Sequence, residues 1–328
     1  ARNYVSFMSG RDNVNFPIQY FVENTPNPFV TPKRDWKDEN DIQPLNSDFF
    51  KFHTVHMENH QKNKYLEAIR NNNDPKILTH LSNIAYPSDE GTTLDYSTHE
   101  KGFWRNFIQD KNKTYLSVRY KRNEFFLDKP NIGKYSSKMK SVIDSVELCD
   151  GQIIIYSQLI WSGIIPLAIA LEHIGFSKLK QNGSPGSILS KGNSSKSKND
   201  PLKKYVVLSG DKNISPNNDY GLAQFNRGEV RVAIISDVAA EGVSFLNVRE
   251  LHVLDPWHNM NKIKQIIGRG VRFKSHITLD ESKRNVGVYL HLSQCPDTDR
   301  ESTDYRKYRL SLEKHNKIVK VENVLKEN

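Results

Sequence analysis

Gln265, Arg269 and Arg272 recur at intervals of three or four residues in the run from Lys262 to Phe273. On a 3.6-residue period they fall on one side of a helix together with Lys262. Ile263, Ile266, Ile267, Gly270 and Val271 fall on the other side. The apolar side can pack on a sheet, which leaves the glutamine and arginines facing out. Guanidinium groups are planar, always charged and shaped to match phosphate oxygens. Such a face at the end of a sheet suits an anion such as a nucleoside triphosphate.

The elements that must hold this face lie on either side of it. Val232 to Ile235 reads as a buried strand that turns through Ser236, Asp237, Ala239, Ala240, Glu241 and Gly242. A second apolar run, Leu251 to Leu254, ends at Asp255-Pro256. Upstream, a helix carries Met139, Val142, Ile143 and Val146, and Gln152 to Tyr156 is a strand. Ser157 to Gly163 is a turn, and a helix spans Gly163 to Ile174 with Pro166 near its start. Strand Tyr205 to Leu208 meets the turn Ser209-Gly210-Asp211, and a helix lies near Asp219 to Asn226. Strand Val286 to Leu292 and a polar helical tail from Ser302 to Asn328 complete the series. Short apolar strands alternating with helices mean an α/β fold, a parallel sheet covered on both faces. Ligands of such sheets sit at the carboxyl ends of the strands, where Ser157, Ser209, Ser236 and Asp255 fall. Before residue 133 the pattern is an irregular α+β extension. Strand candidates are Tyr4 to Met8, Ile18 to Val22 and Phe49 to Val55, and a helix starts near Met57. Residues 71–101 read as loop and 102–132 have no clear pattern. The Ser-, Gly-, Lys- and Asn-rich residues 177–204 read as a flexible surface insertion.

The chain has 328 residues and a formal charge of +9, which favours a polyanionic partner, nucleic acid first. Two cysteines exclude a disulfide scaffold and a Cys-rich zinc site. No apolar run approaches the roughly 20 residues that cross a bilayer, so no membrane partner is expected. The N-terminus is no signal peptide and, lacking Met, reads as the interior of a longer protein.

A phosphate-binding loop needs G-x-x-x-x-G-K-[ST] between strand and helix, and this chain has none. Nor does it have an acidic pair at the end of a buried strand to hold magnesium. These residues therefore supply half of a nucleotide site and should not hydrolyse a nucleotide alone.

Gln265-Ile266-Ile267-Gly268-Arg269-Gly270-Val271-Arg272 resembles motif VI of superfamily 2 helicases, Q-x-x-G-R-x-x-R. Ser236 to Val243 looks like their motif V and Ile153 to Gln158 like motif IV, in the right order. Asp255 to Met260, Phe273 to His276, Gly133 to Lys138, Ser162 to Ile164 and Asn83 to Pro87 narrow the resemblance. It points to helicases of large cytoplasmic DNA viruses, the group of the poxvirus early transcription factor small subunit and nucleoside triphosphatase I. The resemblance implies that residues 133–328 are the second RecA-like domain of a two-domain motor. Residues 1–132 would connect to a first domain that binds most of the ATP and Mg2+. Arg269 and Arg272 would be the arginine finger and its neighbour, with Gln265 orienting them. Asp237, Glu241, Gly242 and Gly268 would line the nucleotide. Glu241 would pair with a motif VI arginine or belong to a plain turn. Ser157, Gln158, Ser209, Gly210 and Ser236 would meet the backbone of a nucleic-acid strand, DNA rather than RNA, the first four otherwise forming ordinary turns. Trp257 would stack on a base or close the core edge, and His276 would touch a phosphate or be structural. The implied setting is viral transcription or genome replication in the host cytoplasm or the virion, with RNA polymerase as a possible partner. The alternative class is a non-motor module on a RecA-like scaffold that binds nucleic acid or a polymerase.

Overall fold

The computed structural model describes residues 15–27, 29–47, 49–71, 74–89, 98–110, 113–122, 124–190, 201–237 and 242–327. Its centre is a parallel sheet. The strands are β1 (Ile18–Phe21), β2 (His53–His56), β5 (Gln152–Tyr156), β6 (Ser177–Lys178), β7 (Lys204–Leu208), β8 (Val232–Ile235), β9 (Val248–Val253) and β10 (Asn285–Gln294). Their order is β1-β10-β9-β5-β8-β7-β6, and β2 continues the β10 edge beyond β1. The pairs are parallel throughout, as in Ile153 with Val232 and Ile154 with Leu251. A small antiparallel hairpin, β3 (Phe107–Gln109) with β4 (Val118–Tyr120), lies apart from the main sheet.

Side chains alternate across β5 with the period of two that a strand imposes. Ile153 and Ile155 pack with helices α5 (Ser137–Leu148) and α6 (Ile165–His173). Ile154 and Tyr156 pack on the opposite face with residues of α7 (Asn218–Asn226), α8 (Met260–Gly270) and α9 (Thr303–Glu327). Both faces are covered, so β8 is buried at every position, as its unbroken apolar run requires. The expected parallel α/β sheet is observed, and its main strands fall within a few residues of where periodicity places them.

Departures concentrate before residue 133 and after β6. Residues before 133 join the same sheet through β1 and β2. Helix α1 (Asn59–Arg70) starts near the expected point. A further helix, α2 (Pro75–Asn83), forms where a loop is expected. Asp74 caps it by accepting from the amide of Lys76, Pro75 opens it, and Leu78 and Leu81 are buried. Helix α3 (His99–Asn106) and the hairpin assemble around Phe103 stacked on Phe107, 4.5 Å between centroids. A short α4 (Ile132–Tyr135) precedes α5.

The flexible-insertion expectation for 177–204 is corrected over residues 177–190. Ser177 and Lys178 form an edge strand, and Ile188 is fully buried. The buried carboxylate of Glu172 accepts from Ser187 Oγ, Ile188 N, Leu189 N and Tyr205 Oη at 2.6–2.9 Å. Val118 adds a bridge to Leu189. Satisfying one buried carboxylate orders a stretch that composition alone makes look solvated. The strand candidate at Tyr4 to Met8 and residues 191–200 lie outside the described residues.

Candidate nucleotide and nucleic-acid site

Helix α8 begins at Asn259, whose side chain accepts from the amide of Asn261 at 2.9 Å. Met260, Ile263, Ile266, Ile267 and Gly270 are buried against the sheet, on the side expected. A Cβ on Gly270 would sit at ordinary contact distance, 3.5 Å, from Ile154 and Leu251. The opposite face carries Gln265 and, just past the helix, Arg272, both exposed, and the half-buried Gly268 and Arg269.

The loop after β8 is fastened to this face. Asp237 forms an ion pair with Lys262 Nζ at 2.6 Å, tying the end of β8 to the first turn of α8. Gly242 has φ +72°, a conformation that glycine takes without steric cost. Phe245 is fully buried, packs edge-on against Phe225 at 5.5 Å, and its amide donates to Arg269 O at 3.0 Å. Arg269 Nη1 donates to Val243 O at 3.5 Å, and Arg272 Nη1 donates to Ser244 Oγ. Asn226 of α7 holds the same loop by donating to Ser244 O and accepting from Leu246 N. The motif V-like turn and the motif VI-like helix are thus one assembly. Among the described residues neither Arg269 nor Arg272 forms an ion pair with a carboxylate. Glu241 lies outside the described residues.

The strand ends form a second row. The ladder continues past β7, β8 and β5, with Ser236 N donating to Leu208 O and Ser157 N to Ile235 O. Ser157 is fully buried, and its hydroxyl donates to Asp255 Oδ2 at 2.8 Å. The same carboxylate accepts from Gln158 N at 2.7 Å and from Asn83 Nδ2. Gly163 lies so close that an added Cβ would meet Ser157 Oγ at 2.0 Å, within a π-helical turn at Ile160–Ile164. Ser209 is also fully buried, its hydroxyl accepting from Asp211 N at 3.2 Å. Both hydroxyls are thus hydrogen-bonded within the protein at the strand ends. Gly210 is exposed and Gln158 half-buried. Ser236 is 6% exposed and its Oγ has no hydrogen-bond partner among the described residues.

Trp257 packs, its indole donating to Tyr156 Oη at 2.6 Å. His276 is structural: buried, within 2.6 Å of Val248 O and 2.8 Å of Ser275 Oγ, and kept neutral by burial. Asp255 and Asn83, both singled out in the sequence, meet as positioning residues in a contact that sequence reasoning did not foresee. The Asp-Pro that ends an apolar run was the local signal for Asp255.

The family model for the helicase conserved C-terminal domain matches residues 187–274. A candidate ATP-dependent RNA helicase of Acanthamoeba polyphaga mimivirus is 29% identical over 218 residues, 66% of this chain and 32% of that protein. A candidate helicase of Invertebrate iridescent virus 3 is 29% identical over 210 residues, covering 60% of this chain and 20% of its own length. The early transcription factor large subunit homolog of African swine fever virus (Badajoz 1971 strain) is 29% identical over 190 residues, 53% and 16% of the two chains. The chain thus spans about a third or less of the relatives it matches. Residues 187–274 thus match the helicase conserved C-terminal domain, and the chain is similar over 53–66% of its length to helicases and a transcription factor homolog of large DNA viruses.

Proposed function

We propose that this chain is the C-terminal half of an ATP-dependent nucleic-acid helicase or translocase. It completes an ATP site whose other half lies on a first RecA-like domain of the same protein. The observation that carries the reading is the pair of arginines on one side of α8, half-buried Arg269 and exposed Arg272, both held by the 243–244 loop. Charge builds on the γ-phosphate during phosphoryl transfer, and an arginine that reaches it accelerates transfer by roughly 10³–10⁵ in the GTPase cases. Arg269 is the finger, Arg272 its neighbour, and Gln265 orients them. Asp237, Gly242 and Gly268 form the nearby wall, with Glu241 assigned to it by family likeness. ATP supplies the bond that is broken, and Mg2+ screens its phosphates.

The nucleic-acid strand passes the strand ends. There Gly210 and Gln158 reach its backbone, Ser236 lies at the end of β8 beneath it, and Ser157 and Ser209 hold the turns. Such contacts position a strand without reading its sequence. DNA is the proposed polymer, and viral transcription or replication the setting, in the host cytoplasm or the virion. RNA polymerase is a proposed partner, since one relative is named for an early transcription factor. The test is ATP hydrolysis by the full-length protein with and without single- and double-stranded DNA and RNA. Stimulation by nucleic acid is expected, and the isolated chain should show no turnover. Turnover by the isolated chain, or full-length activity indifferent to nucleic acid, would sink the reading.

A further inference from the structure

A cleft of about 240 Å³ opens between α2, the turn after β5, the segment after β9 and the first turns of α9. Lys76, His80, Gln158, His258, Arg306 and Lys307 line it. Lys307 is only 8% exposed and forms no ion pair among the described residues. Burying a charge without a partner is costly, and burial does lower the proton affinity of this lysine. The nearby carboxylates of Asp304 and Asp255 offset part of this cost through space, but neither forms an ion pair with Lys307 among the described residues. Asp255 accepts from Ser157, Gln158 and Asn83. Asp304 accepts from Lys138 Nζ at 2.8 Å and Ser293 N at 3.0 Å. Burial also disfavours the charged form of His258, and the nearby Lys307, Arg306 and Lys314 add to this. Lys76, Arg306 and Lys307 give the cleft three cationic side chains, while burial holds His80 and His258 toward the neutral form. Lys76, His80, Arg306 and Lys307 all lie outside the residues matched by the helicase family model.

We propose that this cleft is a further phosphate-binding site, taking one backbone phosphate of the nucleic-acid strand as it runs past Gln158. Helices α2 and α9 then extend the strand's track beyond the sheet. Lys307 supplies the buried charge, while Arg306 and the exposed Lys76 close on the phosphate from opposite walls. The inference rests on the proposed nucleic-acid function.

The test is anisotropy of a fluorescein-labelled single-stranded oligonucleotide titrated with the full-length protein across a salt series. Lys76→Ala and Arg306→Gln should each weaken binding several-fold. Each should also flatten the slope of log K against log salt by about 0.7, the value for one lost single-strand phosphate contact. Lys307→Gln should do the same if it folds, and the other two substitutions decide the matter if it does not. Gly210→Asp, which puts a negative charge at the strand ends, reports on the parent reading. If Gly210→Asp weakens binding while the cleft variants keep wild-type affinity and slope, the cleft proposal falls alone. If the wild type does not bind the oligonucleotide, both fall. If millimolar inorganic phosphate raises the melting temperature only when the cleft is intact, yet oligonucleotide binding ignores the cleft variants, the cleft is a small-anion site and the proposal is overturned.

Discussion

Asp255 gathers three donors, Ser157 Oγ, Gln158 N and Asn83 Nδ2, around one carboxylate with no exposure to water. Replacing it with asparagine removes the charge and turns an amide donor toward other donors. Hydrogen bonds to a charged group are worth about 1.5–3 kcal/mol, and a stranded buried group costs a similar amount. Asp255→Asn should therefore destabilise by about 3 kcal/mol, read as a lower urea midpoint at unchanged m-value. An unchanged midpoint would mean that the network contributes little. The polar face of α8 was legible in sequence because Gln265, Arg269 and Arg272 obey a helical period within a single run. The Asp255 hub was not. Its partners lie 98 and 172 residues away, beyond the reach of any local pattern.

At the scale of elements, a buried ion pair joins α5 to α9. Lys138 Nζ lies 2.8 Å from Asp304 Oδ2 with both side chains inaccessible, and it also donates to Leu254 O just past β9. Removing one member of such a pair leaves a buried charge uncompensated, at about 3–5 kcal/mol. Lys138→Met should fall in that range by denaturant titration, and a loss under about 1 kcal/mol would contradict the pairing. Gly163→Ala is expected to cost about 1–3 kcal/mol, because its Cβ would overlap Ser157 Oγ. An alanine variant as stable as wild type would show that the π-helical turn yields. From α5 onward most elements were readable, since continuous apolar runs mark β5 and β8 and a 3.6-residue apolar pattern marks α5 and α8. Helix α2 was hidden by polar neighbours, although Asp74-Pro75 is a capping signal. The order of residues 177–190 was hidden for a different reason. It comes from Glu172, an acidic residue in a helix that composition cannot connect to a distant loop.

For the whole molecule, buried histidines tie stability to pH. Burial holds His53 and His80 at about 4, against the usual 6.5. In the unfolded chain both take up protons as pH falls from 6.5 towards 4, whereas in the folded chain they stay neutral. The unfolded state then binds more protons, so stability falls on acidification through that window and is unaffected by these groups above it. Glu172, shifted upward by burial, works in the opposite sense. The difference between wild type and His53→Gln isolates the histidine. The variant should lose less melting temperature between pH 7 and pH 5, and parallel curves would count against a neutral buried His53.

The central claim is that Arg269 reaches a nucleotide held by another domain. The direct test compares the full-length protein with its Arg269→Ala variant, measuring ATP hydrolysis beside equilibrium binding of ATP. The account predicts that hydrolysis falls by about 10³-fold or more while ATP affinity stays near wild type. Near-normal turnover in the variant would contradict it.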